Sequence, residues 1–304
     1  MGSGYRHAAG SIENDGRAIN IDILDTCCSS LCLIASLPLF NLLMSTQHAS
    51  PSYAEHDNVR LRLTGGSRKM SNHSSHVDSD PLVSVITVVR NGESTIARCI
   101  ESVLAQTYAN VEHIIIDGGS TDETVSILRS YGERIALWIS EPDHGIYNAL
   151  NKGILLARGA FYIPLGCDDV LLPTGVNSLA IRANESLVVC GKIQFVDADR
   201  NLKGISYGHS AGVLIDIRAH ANLGLYDESY RIAADTKFLQ LAERSSNVLK
   251  IEETVGEFTF GGASSNYSKT MREHARAMHE AGSWGAFKAM LWLAPRLLLS
   301  VFRS

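Results

Sequence analysis

Leu82-Val-Ser-Val-Ile-Thr-Val-Val89 is a nearly unbroken run of apolar and β-branched residues. It lacks the in-and-out alternation of a half-exposed strand, so it predicts a strand buried on both faces of a parallel sheet. The period then changes. Ile96, Cys99, Ile100, Val103 and Leu104 recur at three- and four-residue spacing as one apolar helical stripe, with Ser94 placed to cap it. Val111 to Ile116 predicts a second strand, and Ser120 with Glu123 reads as a capping box opening a helix that carries Val125, Leu128 and Tyr131. Ile135 to Ile139 predicts a third strand. Ile146, Ala149, Leu150, Gly153, Ile154 and Ala157 form the next stripe, ended by Gly159, and Ala160 to Leu165 predicts a fourth strand. Such alternation predicts an α/β fold: a mixed, mainly parallel sheet flanked by helices.

In open sheets of this kind ligands lie beyond the carboxyl ends of the strands. There the sequence is polar in a patterned way: Arg90-Asn91-Gly92, then Asp117-Gly118-Gly119-Ser120-Thr121-Asp122, then Glu141-Pro142-Asp143-His144-Gly145, then Asp168-Asp169. Carboxylates gathered on one rim repel unless a cation sits among them, and hard oxygen ligands suit Mg²⁺ or Mn²⁺. Each aspartate also has a plain structural reading. Asp168 and Asp169 fit a helix N-cap, Asp117 fits a tight turn, and Asp235 fits a cap before the stripe Phe238, Leu239, Leu241 and Ala242. As chemistry, Asp235 would be a general base for a hydroxyl.

With 304 residues, 45% hydrophobic and 19% charged, the chain can bury one sizeable core. A net charge of −5 gives no basic field, which argues against a nucleic-acid partner. Cys99, Cys167 and Cys190 are scattered singly and Cys27, Cys28 and Cys32 cluster near the start, with no CxxC pair or disulfide framework. The scattered three read as ordinary thiols of a reducing, cytoplasmic compartment. Residues 1–80 read as a disordered leader, or as upstream sequence ahead of a start at Met70; their apolar run from Leu31 to Met44 is short for a span of about 20 residues. Residues 267–304 read as C-terminal helices. Their apolar Trp284, Leu291, Leu293 and Leu297 to Leu299, set among Lys288, Arg296 and Arg303, fit either a membrane-surface helix or a last helix packed on the core, with Pro295 as an interruption.

Four stretches resemble the inverting family 2 glycosyltransferases of GT-A (Rossmann-like) fold found in bacterial surface-polysaccharide assembly. They are Val83-Ser-Val-Ile-Thr-Val-Val-Arg-Asn91, Ile114-Ile-Ile-Asp-Gly-Gly-Ser-Thr-Asp122, Ser140-Glu-Pro-Asp-His-Gly-Ile-Tyr-Asn-Ala-Leu-Asn-Lys-Gly153 and Tyr226-Asp-Glu-Ser-Tyr-Arg-Ile-Ala-Ala-Asp235. Their order and spacing carry the likeness over residues 81–266, the expected catalytic domain.

The resemblance implies metal-dependent transfer of a sugar from a nucleotide-sugar donor to a saccharide or lipid-linked acceptor, with inversion, at the inner face of the plasma membrane. Thr87, Asp117 and Asp143 would line the nucleotide. Asp168 would hold Mg²⁺ or Mn²⁺, with Asp169 beside it on the donor; His209 would face the diphosphate and the metal, and Asp235 would be the base. Gly261-Gly-Ala-Ser-Ser265 is similar to a late donor-side loop in some members. The chain departs from the family at Gly166, where the Asp-x-Asp element begins with Asp or Asn, at Pro164 in the preceding strand, and at Thr236-Lys237 beside the base.

Three other classes make contrary demands. A nicotinamide-dependent oxidoreductase needs Gly-x-Gly-x-x-Gly after the first strand, where Arg90-Asn91-Gly92-Glu93 stands instead. A nucleotidyltransferase needs an early Gly-rich basic phosphate loop. A non-catalytic nucleotide-sugar-binding module has no need of Asp117, Asp168 and Asp235 together.

Overall fold

The computed structural model describes residues 62–67, 80–261 and 267–301. Met70, Leu31 to Met44, the N-terminal cysteines and residues 262–266 lie outside the described residues. In chain order the elements begin with β1 (Leu63–Gly65), β2 (Val83–Val89), α1 (Ile96–Leu104), β3 (Val111–Asp117), α2 (Thr124–Tyr131) and β4 (Leu137–Ser140). They continue with α3 (Ile146–Leu156), β5 (Phe161–Gly166), β6 (Val170–Leu171), α4 (Gly175–Ala180), β7 (Val188–Val196) and β8 (Leu202–Ser206). Last come β9 (Val213–Asp216), α5 (Ala219–Leu223), α6 (Ala234–Arg244), β10 (Val248–Thr259), α7 (Tyr267–Glu280) and α8 (Ala286–Val301).

The strands form one sheet in the order β1-β4-β3-β2-β5-β9-β7-β10-β6, with β8 on β7. β4, β3, β2 and β5 run parallel, as do β7 and β10, while β9 joins the two blocks antiparallel to both. The parallel block is buried on both faces because its strands carry aliphatic residues at successive positions: Ile86, Ile114, Ile115, Ile116 and Ile163 are all 0% exposed. Each such side chain contributes about 1.5–3 kcal/mol on burial. α3 reaches the sheet at Gly153, where a Cβ would stand 2.3 Å from Ile86 Cγ2, so no larger residue fits there.

Several local details differ from expectation. Ser94 does not cap α1; Thr95 holds that position without a side-chain bond, and the carbonyl of Gly92 accepts from the amides of Thr95 and Ile96 at 3.0 and 2.9 Å. Ser120 and Glu123 form no capping box, because Ser120 is drawn to Asp117 and the first amide of α2 goes to Asp122 Oδ1 at 3.0 Å. Pro164 stays inside β5: β9 pairs only as far as Tyr162, so proline's missing donor leaves no unpaired partner in β9. β1 lies within the expected leader and pairs antiparallel with β4 at the sheet edge. α8 runs through Pro295, which removes one helical hydrogen bond without ending the helix. It packs on α7 through Ala275, Ala289 and Leu293. Among the described residues no helix is long and apolar enough to cross a membrane.

Candidate active site

A cleft of about 490 Å³ opens at the carboxyl ends of β2 and β5, and it is lined by Asp143, Asp168, Asp169, His209 and Asp235. Its walls are loops bonded to one another. Asn91, in the left-handed region at φ 52° that asparagine tolerates, donates its amide to Ser120 Oγ at 2.7 Å and accepts from Thr121 N at 2.9 Å. Gly92 N donates to Thr124 Oγ1 at 2.9 Å, and Glu93 N to Asp122 Oδ2 at 3.1 Å. The loops after β2 and β3 are thereby one rigid ledge.

Asp168 and Asp169 converge above Gly166. A Cβ on Gly166 would lie 2.7 Å from Asp169 Oδ2 and 2.9 Å from Asp168 Oδ1. Burial pushes both carboxyls above their ordinary range, and for Asp169, which is 2% exposed, the neighbouring Asp168 charge pushes further. Thr259 N donates to Asp169 Oδ1 at 3.3 Å, while Arg98 Nη2 and Thr259 Oγ1 both donate to the carbonyl oxygen of Asp168, at 2.6 and 2.9 Å. Arg98 thus holds the backbone of the turn and leaves the carboxylates for another cation. Two hard oxygen donors facing one cleft, without a bonded cationic side chain, fit Mg²⁺ or Mn²⁺. Among the described residues no three His, Cys, Asp or Glu gather as a closed cage. An open set of this kind leaves positions for phosphate oxygens.

Across the cleft, Asp235 stands in the first turn of α6. Its Oδ1 accepts from Thr236 N at 2.8 Å and Tyr147 Oη at 3.0 Å, and the Ser210 hydroxyl also bonds it. Burial raises its proton affinity, which suits a base. His209 packs against Phe258 with ring centroids 4.0 Å apart, and its Nδ1 accepts from Ala211 N at 3.2 Å. That bond assigns the ring's proton to Nε2. Burial holds His209 neutral, its pKa lowered to about 4. Among the described residues no group of three His, Cys, Asp or Glu forms that could hold a metal, so the structure does not bring His209 to Asp168 and Asp169 as the expected further ligand.

Two more expectations need correction. Thr87 does not reach the cleft: it is 0% exposed and bonds His113 Nε2 at 2.9 Å, while its strand neighbours Val88 and Val89 line the cavity. Asp117 is equally buried, with Ser120 N at 3.0 Å, Ser140 Oγ at 2.6 Å and Ser120 Oγ on its carboxylate, so it ties the ledge together from beneath. Asp143 does line the cleft and caps its own loop through Gly145 N at 2.9 Å. Tyr147, Ser210 and Phe258 also line it and had not been singled out. Tyr147 stood within the Gly-Ile-Tyr-Asn stretch, where a polar-tipped ring inside an apolar helical stripe was the available signal.

Known proteins resemble this chain in sequence and in fold. The family model described as glycosyl transferase family 2 matches residues 84–240. An uncharacterized glycosyltransferase of Rickettsia typhi is 32% identical over 191 residues, covering 53% of this chain and 60% of that protein. The chain thus spans under two thirds of that relative's length. An uncharacterized glycosyltransferase of Mycobacterium tuberculosis is 32% identical over 207 residues, 62% of this chain and 79% of that one. Among solved structures, the mannosyltransferase PcManGT of Pyrobaculum calidifontis, in complex with GDP-Man and Mn²⁺, aligns with a TM-score of 0.56 at 15% identity, covering 74% of this chain and 76% of that one. It shares the fold.

Proposed function

Because the chain belongs to glycosyltransferase family 2, we propose that it transfers a sugar from a nucleotide-sugar donor to a hydroxyl acceptor by single displacement with inversion. The observation that carries the proposal is that Asp235, at the start of α6, and the Asp168–Asp169 pair, just after β5, line one cleft. Asp143 and the ledge at Arg90 to Thr95 bound the donor side. His209 donates its Nε2–H to a diphosphate oxygen. Asp235 takes the proton of the attacking hydroxyl, held in line with the departing diphosphate. Mg²⁺ or Mn²⁺, held by Asp168 with Asp169 beside it, would supply charge neutralisation for the leaving group; the Mn²⁺ reported with PcManGT supports that choice.

The acceptor we propose is a lipid-linked or growing saccharide in surface-polysaccharide synthesis, on the cytoplasmic face of the membrane. α8 supports this through Leu291, 56% exposed beside the basic Lys288. The catalytic unit spans residues 81–266 together with β1, and 267–304 is its membrane-facing appendage.

The test is a panel of UDP- and GDP-sugars with Mn²⁺ or Mg²⁺, reading free nucleoside diphosphate. Release from one donor is expected to need the metal and to vanish in Asp168→Ala and Asp235→Asn, with nucleotide binding kept only in the latter. Silence across the panel, with no UDP or GDP binding by calorimetry, would overturn the proposal.

A further inference from the structure

Tyr147 is 4% exposed, yet it lines the cleft and its hydroxyl sits between two acceptors. The Ile232 carbonyl lies at 2.5 Å and Asp235 Oδ1 at 3.0 Å. A phenol has one proton, so it serves one acceptor at a time and stays within reach of the other. Both acceptors belong to the stretch that leads into α6 and delivers the aspartate, whereas Tyr147 belongs to α3. Its ring packs on Tyr226 at 5.7 Å between centroids, so ring and hydroxyl both meet that segment. Asn151, one helical turn further along α3, bonds both main-chain groups of Tyr226, at 2.9 and 3.0 Å. α3 therefore grips the 226–235 segment through Tyr147, Asn148 and Asn151, and the Tyr147 contact is the one that ends on the carboxylate.

We propose that Tyr147 is a positioning residue of the reaction: beside the hold that Glu273 of α7 has on the amides of Arg231, Ile232 and Ala233, its hydroxyl orients the Asp235 carboxylate towards the acceptor side of the cleft. This rests on the reading of Asp235 as the base. The other groups facing Asp235 are the Thr236 amide, the Ser210 hydroxyl and the Tyr226 phenol. Of these, only Thr236 N is fixed by the local helix start, and it meets the same Oδ1 as Tyr147.

Tyr147→Phe removes one oxygen and keeps the ring. In the donor-hydrolysis assay, kcat is expected to fall tenfold or more while the donor KM stays within twofold, as for loss of a hydrogen bond to a charged group. Independently of any donor, ¹³C-detected titration of the Asp235 carboxyl is expected to move up by about one pH unit. UDP and GDP binding with Mn²⁺ and the thermal transition serve as folding controls, and Tyr147→Trp, which keeps a ring with a donor but displaces it, is expected not to restore kcat. An unmoved Asp235 titration, or wild-type kcat, in folded Tyr147→Phe would overturn the proposal. Activity retained by Asp235→Asn would instead overturn the assignment of the base.

Discussion

A methyl group at position 166 has no free space, because the Asp168 and Asp169 oxygens occupy it at under 3 Å. Gly166 has no positive φ, so the demand there is for room and not for an unusual backbone. Asp169 cannot easily give way, being 2% exposed and bonded by Thr259 N. The departure from Asp-x-Asp at this position thus has a packing reason: the space a longer residue would fill is taken by the carboxylate pair itself. Gly166→Ala is expected to cost about 1–3 kcal/mol of stability by overpacking and to weaken Mn²⁺-dependent UDP or GDP binding by tenfold or more. Calorimetric titration of the variant checks this, and an unchanged affinity would mean that the convergence does not matter for binding. Residue type and order were enough to bring Asp168, Asp143 and Asp235 to the rim that lines the cleft, and the family resemblance added His209. They were not enough for Thr87 or Asp117, because a strand presents successive side chains to opposite faces, and a role assigned by position says nothing of direction. His209 shows a subtler limit, since its role turns on which ring nitrogen meets the Ala211 amide.

α3 shows how one element serves both core and site. Gly153 lets it lie against β2, while Tyr147, Asn148 and Asn151 reach the segment 226–235. Asn151 is 5% exposed and bonds the Tyr226 amide and carbonyl much as a neighbouring strand would. Replacing it by leucine keeps the volume and strands two buried main-chain groups, each worth about 1–3 kcal/mol. Asn151→Leu is expected to lower Tm by several degrees in calorimetry and to reduce kcat along with stability; a Tm within one degree of the native chain would refute the clamp. The strands β2, β3 and β5 and the helices α1 and α3 were legible because continuous apolar runs and 3.6-residue stripes are local signals. β7 to β10 were not. β7 is broken by Gly191, Lys192 and Gln194, and its pairing with β10 joins residues about sixty positions apart, a contact no local period reports. β1 escaped for the same reason, as three residues whose strand character comes from β4.

At the scale of the whole molecule, protons would compete with the proposed divalent cation for the same cleft, while buried histidines set a separate acid limit. Burial raises Asp168, Asp169 and Asp235 above the ordinary carboxylate value. Groups whose folded pKa is raised stabilise the fold fully below the unfolded value, about 3.9, and that contribution is lost as pH rises through the folded value. Ionising the pair therefore opposes folding, and a cation that binds only the folded, ionised cleft restores stability by about 2.7 kcal/mol at a hundredfold excess over its Kd. His113 and His209 run the other way, since burial lowers them to about 3 and about 4, and His220 is lowered as well. Their contribution is present above the unfolded value of about 6.5 and is lost as pH falls towards the folded values. Two trends are thus expected in Tm measured from pH 7.5 down to 5. In the metal-free protein the histidines withdraw stability below about pH 6.5 while protonation of the raised carboxyls returns part of it, and the increment given by Mn²⁺ shrinks over the same range as protons displace the ion. Asp168→Ala separates the two, because it should abolish the increment and leave the histidine-driven decline in place. An Mn²⁺ increment that stayed constant with pH, or survived in Asp168→Ala, would place the ion away from these carboxylates and leave the pair without a counter-charge in the donor cleft.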